Sequence, residues 1–239
     1  MSLQQTQASP LEENLIDESV IEENVIPFAH ELSGGVASMS ESTGSNQEQS
    51  NVEQQYRASA YSILAALLRK VPTVEVLEHV ANFSQVGVDE DELLLSMSTL
   101  GLAAQSSELS AIDDEYHDLF IGLGRGELVP YGSWYLTGYL MEKPLSILRD
   151  DLVALGFERD EDIVEPEDHV AALCEVMSLL ISDETVSTET QAIFFEKHMS
   201  PWMDRFYRDL SEAKSAVFYR AVGRFGSAFL NLEKQYLLV

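Results

Sequence analysis

The stretch SAVFYRAVGRFGSAFLNLEKQY, residues 215–236, decides the fold class. Phe218, Val222, Phe225, Phe229, Leu232 and Tyr236 recur at intervals of four, three, four, three and four. That spacing puts six large apolar side chains on one stripe of a helix and on neither face of a strand. Such a stripe is either buried within one domain or forms a coiled-coil seam with a second copy. Three heptads make a minimal coiled coil, so packing within the chain is the favoured reading, and a homodimer stays open. Gly223 and Gly226 leave room for a neighbouring helix to come close.

The same helical period runs upstream through most of the chain. Ala58 to Arg69 is apolar at helical spacing and stops before Pro72. Thr73 suits the cap of a short helix reaching Phe83. Asp89 to Ser98 opens with Asp-Glu-Asp-Glu, which favours the positive end of a helix dipole. Further helices are expected over 108–121, 133–141, 144–155, 166–181, 188–198 and 201–210, with Pro144 and Pro166 at the first helical position. No run of alternating β-branched residues bounded by turns occurs. The expected fold is all-α, about nine or ten helices in one globular domain over residues 53–239.

Residues 1–52 differ in kind. They hold nine acidic residues, no Lys or Arg, and Phe28 as their only aromatic. The tract 33–51 is rich in Gly, Ser and Gln and too polar to order itself. A disordered acidic tail and linker is therefore expected over 1–52. Three near-repeats, ENLID, ESVIE and ENVIP at 13–27, lie within it. A period of five suits neither a helix face nor a strand face; they are read as solvated, with a short docking motif as the alternative.

Composition excludes several functions. The 239 residues carry 14 Lys+Arg against 41 Asp+Glu, a formal net charge of −27. A chain this acidic repels phosphate backbones, so nucleic acid is not an expected partner. No apolar run is long enough to cross a bilayer and no secretory signal begins the chain, so a cytoplasmic protein without stable membrane insertion is expected. Cys174 is the one cysteine, which excludes an intrachain disulfide and a cysteine-based zinc site. The five His show no metal-ligand spacing, and neither GxSxG nor GK[ST] is present. The glycines of Gly122-Leu123-Gly124-Arg125-Gly126 follow a helix rather than a strand, a weak nucleotide fingerprint. No catalytic residues and no metal ligands are assigned, and the chain reads as a binding protein rather than an enzyme.

Two stretches carry binding chemistry. Residues 115–157 contain a glycine-rich loop, Pro130, and the aromatic cluster Tyr131, Trp134, Tyr135 and Tyr139. A long aromatic loop either forms a site or is a buried elbow between helix groups. Glu165-Pro166-Glu167-Asp168-His169 is either an ordinary acidic helix start or a carboxylate beside an imidazole, able to hold a guanidinium.

These residues carry a resemblance. EYHDLFIGLGRGELVPYGSWYLTGYLM (115–141), EPEDH (165–169) and FFEKHMSPWMDRFYRDL (194–210) occur in the order found in the TorD family of molybdoenzyme maturation chaperones, which includes the DmsD proteins. EPEDH matches E-P-x-D-H, and His198, Pro201, Trp202 and Phe206 match H-x-x-P-W-x-x-x-F. The resemblance spans roughly 55–235 and leaves the acidic tail outside. It implies an all-helical cytoplasmic chaperone that binds the twin-arginine signal peptide, or the apo form, of a molybdenum-cofactor oxidoreductase, aiding cofactor insertion and delaying export. By motif, the peptide-binding residues are Leu119, Phe120, Pro130, Tyr131, Trp134, Glu165, Asp168 and His169, with Asp168 meeting the arginine pair. The family implies no resident cofactor, with weak guanine-nucleotide binding attributed to it. A guanine-nucleotide switch and an acidic interaction adaptor remain the alternatives. A monomer and a homodimer are both compatible.

Overall fold

Residues 58–68 are mostly apolar or small on every side, with Arg57 the one charged residue beside them, so this segment suits the middle of the molecule. In the computed structural model it lies there: every residue from Arg57 to Leu68 except Ala66 is buried. The structure describes residues 45–86, 91–122, 125–158 and 164–237. The expected tail therefore lies outside the described residues up to position 44. The remainder of the expected linker, 45–52, is helical, because α1 spans Ser45–Arg69.

Nine more α-helices follow among the described residues, and no strand does. They are α2 (Val74–Ala81, extended by a 3-10 turn Asn82–Gln85), α3 (Glu92–Ser106) and α4 (Leu109–Tyr116). Next come α5 (Gly132–Thr137), α6 (Lys143–Ala154) and α7 (Val170–Ser182). Last are α8 (Thr188–Phe194), α9 (Met203–Glu212) and α10 (Phe218–Leu237). The caps follow local chemistry. Thr73 accepts from the Val76 N–H, and Asp91 from the N–H groups of Leu93 and Leu94. Helix α5 stops at Thr137, short of the expected Met141, because Gly138 turns left-handed at φ +82° and its N–H donates to Trp134 O.

Helix α1 packs chiefly on α7, and small residues set the contact. Ser62 and Ser178 share a hydrogen bond at 2.7 Å, and Ser178 also donates to Ala58 O at 3.0 Å. Helix α10 packs on α9 and α3 and also touches α1. Its stripe is core: Phe218, Val222, Phe225 and Phe229 are all buried. Leu232 departs from that pattern at 45 % exposure. The two glycines do admit a neighbour. A Cβ on Gly223 would sit 2.7 Å from Tyr207 O, and one on Gly226 2.3 Å from the Tyr207 ring.

Two polar networks tie these helices together. Arg57 meets Glu233 through two parallel bonds of 2.6 and 2.9 Å, with Gln54, Gln191 and Tyr61 completing the cluster. Glu115 of α4 accepts from the N–H groups of Val217, Phe218 and Tyr219, so a side chain of α4 caps the start of α10.

Candidate functional site

The elbow after α4 begins with a helix that widens. Residues His117–Ile121 form a π turn, closed by the Gly122 N–H donating to His117 O at 2.7 Å. Gly122 sits at φ +56°, and a Cβ there would lie 2.2 Å from Arg125 O, so only glycine fits. The chain then folds back on the turn: Glu127 N–H donates to Asp118 O and Leu128 N–H to Leu119 O. Leu123 and Gly124, part of the glycine-rich motif, lie outside the described residues.

From Pro130 the elbow pairs with the E-P-x-D-H turn. Gly132 N–H donates to Asp168 O at 2.8 Å, and Val170 N–H to Pro130 O at 2.9 Å, an isolated antiparallel bridge between Tyr131 and His169. The two rings meet edge to face at 5.1 Å. This pairing corrects the sequence reading of 166–181. Backbone groups of Asp168 and Val170 are committed to the elbow, so helix α7 starts at Val170 and not at Pro166. Glu167 and Asp168 therefore precede the helix instead of opening its first turn.

The site residues fall into two groups. Pro130, Tyr131, Asp168 and His169 come together at the bridge. Asp168 is 3 % exposed, and its Oδ2 accepts from the Ser133 N–H at 2.7 Å. Its Oδ1 and the Ser133 hydroxyl are buried without a hydrogen-bond partner. Leu119 and Phe120 stand apart from the bridge. Leu119 is fully buried, so it supports the elbow from beneath and lines no open surface as placed. Phe120 is half-buried against Tyr116 and Tyr219, at 5.0 and 5.5 Å between ring centres. Trp134 is half-exposed with the Arg125 guanidinium 4.5 Å over its ring. The third motif lies underneath. Trp202 is buried, donates to His198 O, and its ring would meet a Cβ on Gly132 at 3.1 Å. His198 in turn bonds Asp151 of α6 at 2.6 Å, beside Lys197.

His169 is the N-cap of α7: its Nδ1 accepts from the Ala171 N–H at 3.1 Å, which requires that nitrogen to be unprotonated. Burial pushes the imidazole down to about 3, and the Arg69 charge acts in the same direction. The unfolded chain titrates near 6.5, so from there down it binds a proton that the folded chain refuses. Stability is therefore full above about pH 6.5 and falls as the pH drops toward about 3. Asparagine keeps an oxygen for the cap and removes the titration. Wild type then loses about 1.4 kcal/mol more per pH unit than His169→Asn inside that window. Urea unfolding of both proteins at several pH values checks this, and equal slopes would refute it.

Beside the E-P-x-D-H turn lies a cavity of about 560 Å³. Leu152, Val153 and Phe157 wall it from the α6 side, and Ala171, Ala172 and Val176 from α7. Four carboxylates (Glu158, Glu165, Glu167, Glu175) face two guanidiniums (Arg69, Arg149) around it. Arg69 pairs with Glu175 and Arg149 with Glu167, which leaves the charge of Glu158 and Glu165 in excess. Partial burial pushes the Glu165 carboxyl up, opposed by Arg69. A space with apolar walls and surplus negative charge suits a ligand that is both apolar and cationic. The motif at 165–169 announced part of this place. Arg69, Arg149, Glu158 and Glu175 had no sequence signal, since they enter from three other segments.

Other chemistry is sparse. Cys174 is fully buried, and burial pushes its thiol up to about 12, the behaviour of a structural thiol. Among the described residues no cluster of three or more His, Cys, Asp or Glu is arranged to hold a metal ion. No helix among them is long and apolar enough to cross a membrane.

Comparison with known proteins follows the same lines. The family model described as nitrate reductase delta subunit matches residues 87–208, half of the chain. The chaperone protein TorD of Vibrio atlanticus (strain LGP32) is 28 % identical over 205 residues, 76 % of this chain and 94 % of the relative. The chaperone protein TorD of Aliivibrio salmonicida (strain LFI1238) is 27 % identical over 210 residues, 78 % of this chain and 97 % of the relative. A solved chain from Archaeoglobus fulgidus, described as a redox enzyme maturation protein, is 18 % identical with a TM-score of 0.49, covering 72 % of this chain and 93 % of its own.

Proposed function

Because the chain belongs to the nitrate reductase delta subunit family, that of the TorD maturation chaperones, we propose that it binds the twin-arginine signal peptide, the apo form, or both, of a molybdenum-cofactor oxidoreductase. In this reading it acts in the cytoplasm, aids cofactor insertion and delays export. It does so by binding, with no chemical step of its own and no resident cofactor.

The cavity beside the E-P-x-D-H turn carries the reading. A twin-arginine signal couples a basic end to an apolar stretch. Glu165 and Glu158 offer carboxylates to the guanidiniums, and Arg–carboxylate pairs gain from the matched fork geometry. Val153, Phe157 and Val176 take the apolar part above the buried Leu152, and the half-exposed Tyr131, beside His169 of the cavity wall, adds an aromatic ring next to it. Asp168, expected from the sequence to meet the arginine pair, is buried with its Oδ2 held by the Ser133 N–H. In this reading it therefore acts with His169 and Pro130 as a positioning residue, holding elbow and turn in register through the bridge. Each exposed apolar side chain that becomes buried contributes ~1.5–3 kcal/mol gross, and ordering a flexible peptide offsets much of it, so an affinity in the micromolar range, about 1 μM, is expected.

Calorimetry against the host's own twin-arginine signal peptides, each beside its Arg-Arg→Ala-Ala control, tests this. One peptide is expected to bind at about micromolar Kd or tighter, with at least about tenfold lost in its control. Silence across the panel, or controls that bind equally well, would overturn signal-peptide recognition.

A further inference from the structure

Two arginines of the chain already sit on carboxylates of the cavity, and one is held as an arriving arginine would be. Arg149 Nε lies 3.0 Å from both Glu167 Oε1 and Oε2, and Nη2 lies 2.9 Å from Oε2. We propose that Arg149 is an internal placeholder: its guanidinium occupies, on Glu167, the seat that an arginine of the incoming peptide takes over. The inference rests on the peptide-binding reading and names how that site selects arginine.

The two partners are unequal. Glu167 is fixed, with a side chain only 17 % exposed, in a turn held by the Tyr131–His169 bridge and by the His169 N–H donating to Pro166 O at 3.1 Å. The Arg149 side chain is 46 % exposed and reaches the turn from the surface of α6. The acid is thus the built part of the seat and the base the replaceable part. An exposed pair of this kind is weak, so exchange for another guanidinium conserves the ion pair and releases Arg149 to water. A lysine would bring a point charge without the fork and compete poorly for two oxygens at once. Arg69 is the less exchangeable cation, since its side chain is 34 % exposed against 46 % for Arg149.

The alternative role is a strut, in which the pair braces α6 against the turn. The two roles predict opposite signs. The probe is an acetylated, amidated peptide of two arginines followed by an apolar stretch, with a Lys-Lys counterpart, titrated into the full chain by calorimetry. As a placeholder, Arg149→Gln removes a competitor and tightens the Arg-Arg probe about two- to fivefold, the worth of one exposed pair. The Lys-Lys probe gains less. Glu167→Gln weakens the Arg-Arg probe, and in the double variant the gain from Arg149→Gln disappears. A loss or no change in Arg149→Gln, or a gain that survives Glu167→Gln, overturns the proposal, as does failure of every variant to bind the probe. If the probe behaves as stated while no signal peptide binds, signal-peptide recognition fails and the placeholder stands. If signal peptides bind and Arg149→Gln gives no gain, the placeholder alone fails.

Discussion

Arg57→Met is expected to lower the melting temperature by about 10 °C. Arg57 is 4 % exposed and Glu233 fully buried. The guanidinium satisfies both carboxylate oxygens, reaches Gln54 and Gln191, and lies 4.3 Å over the Tyr236 ring. Methionine fills much of the volume and leaves a carboxylate in the core without its cation. Breaking a buried pair in this way costs about 3–5 kcal/mol, whereas replacing both members by apolar groups is often neutral. Arg57→Met/Glu233→Leu is therefore expected to recover most of the loss. A single variant that melts within about 2 °C of wild type, or a double variant no better than the single, would contradict this account.

Glu115→Ala is expected to cost about 3 kcal/mol by urea unfolding, because three N–H donors at the start of α10 lose one charged acceptor. Glu115 is 8 % exposed, so water does not take its place freely. The N–H groups of a helix's first turn have no partner within the helix, and α10 depends on α4 for them. Glu115→Gln keeps one oxygen and should lose about half as much. Equal and small losses in both variants would mean that the carboxylate is dispensable there.

The sequence made the helices legible where the decisive interaction is local. Thr73 caps as its type dictates, and Pro144 stands in the first turn of α6; the helix expected from Asp89 to Ser98 instead spans Glu92–Ser106, with Asp91 as its N-cap. The buried stripe of α10 followed from spacing, and its two glycines meet Tyr207 as the close approach requires. Reading failed where partners are distant in the chain. Glu115 and Val217 are 102 residues apart, and Arg57 and Glu233 176. Pro166 carries a true local signal for a helix start, but the pairing of 130–132 with 168–170 outcompetes it. Leu232 fits the α10 stripe by spacing and is exposed, although its neighbours Glu233 and Tyr236 meet Arg57 and Gln54 of α1.

The candidate site was half legible for the same reason. E-P-x-D-H and the aromatic elbow are contiguous motifs, and their joining at Tyr131 and His169 places them in one region. The cavity beside them is assembled from α1, α6, α7 and the 164–169 turn. Its two arginines look like ordinary helix-surface residues until those segments are brought together.

The most direct measurement is photo-crosslinking of a twin-arginine signal peptide carrying a benzophenone residue next to the arginine pair, with the adducts located by mass spectrometry. Binding at the cavity predicts adducts on Leu152, Val153 and Phe157 and on residues 164–176, reduced by the Arg-Arg→Ala-Ala change and competed by unlabelled peptide. Adducts confined to another surface, such as the exposed Leu95 and Leu102 of α3, would contradict it.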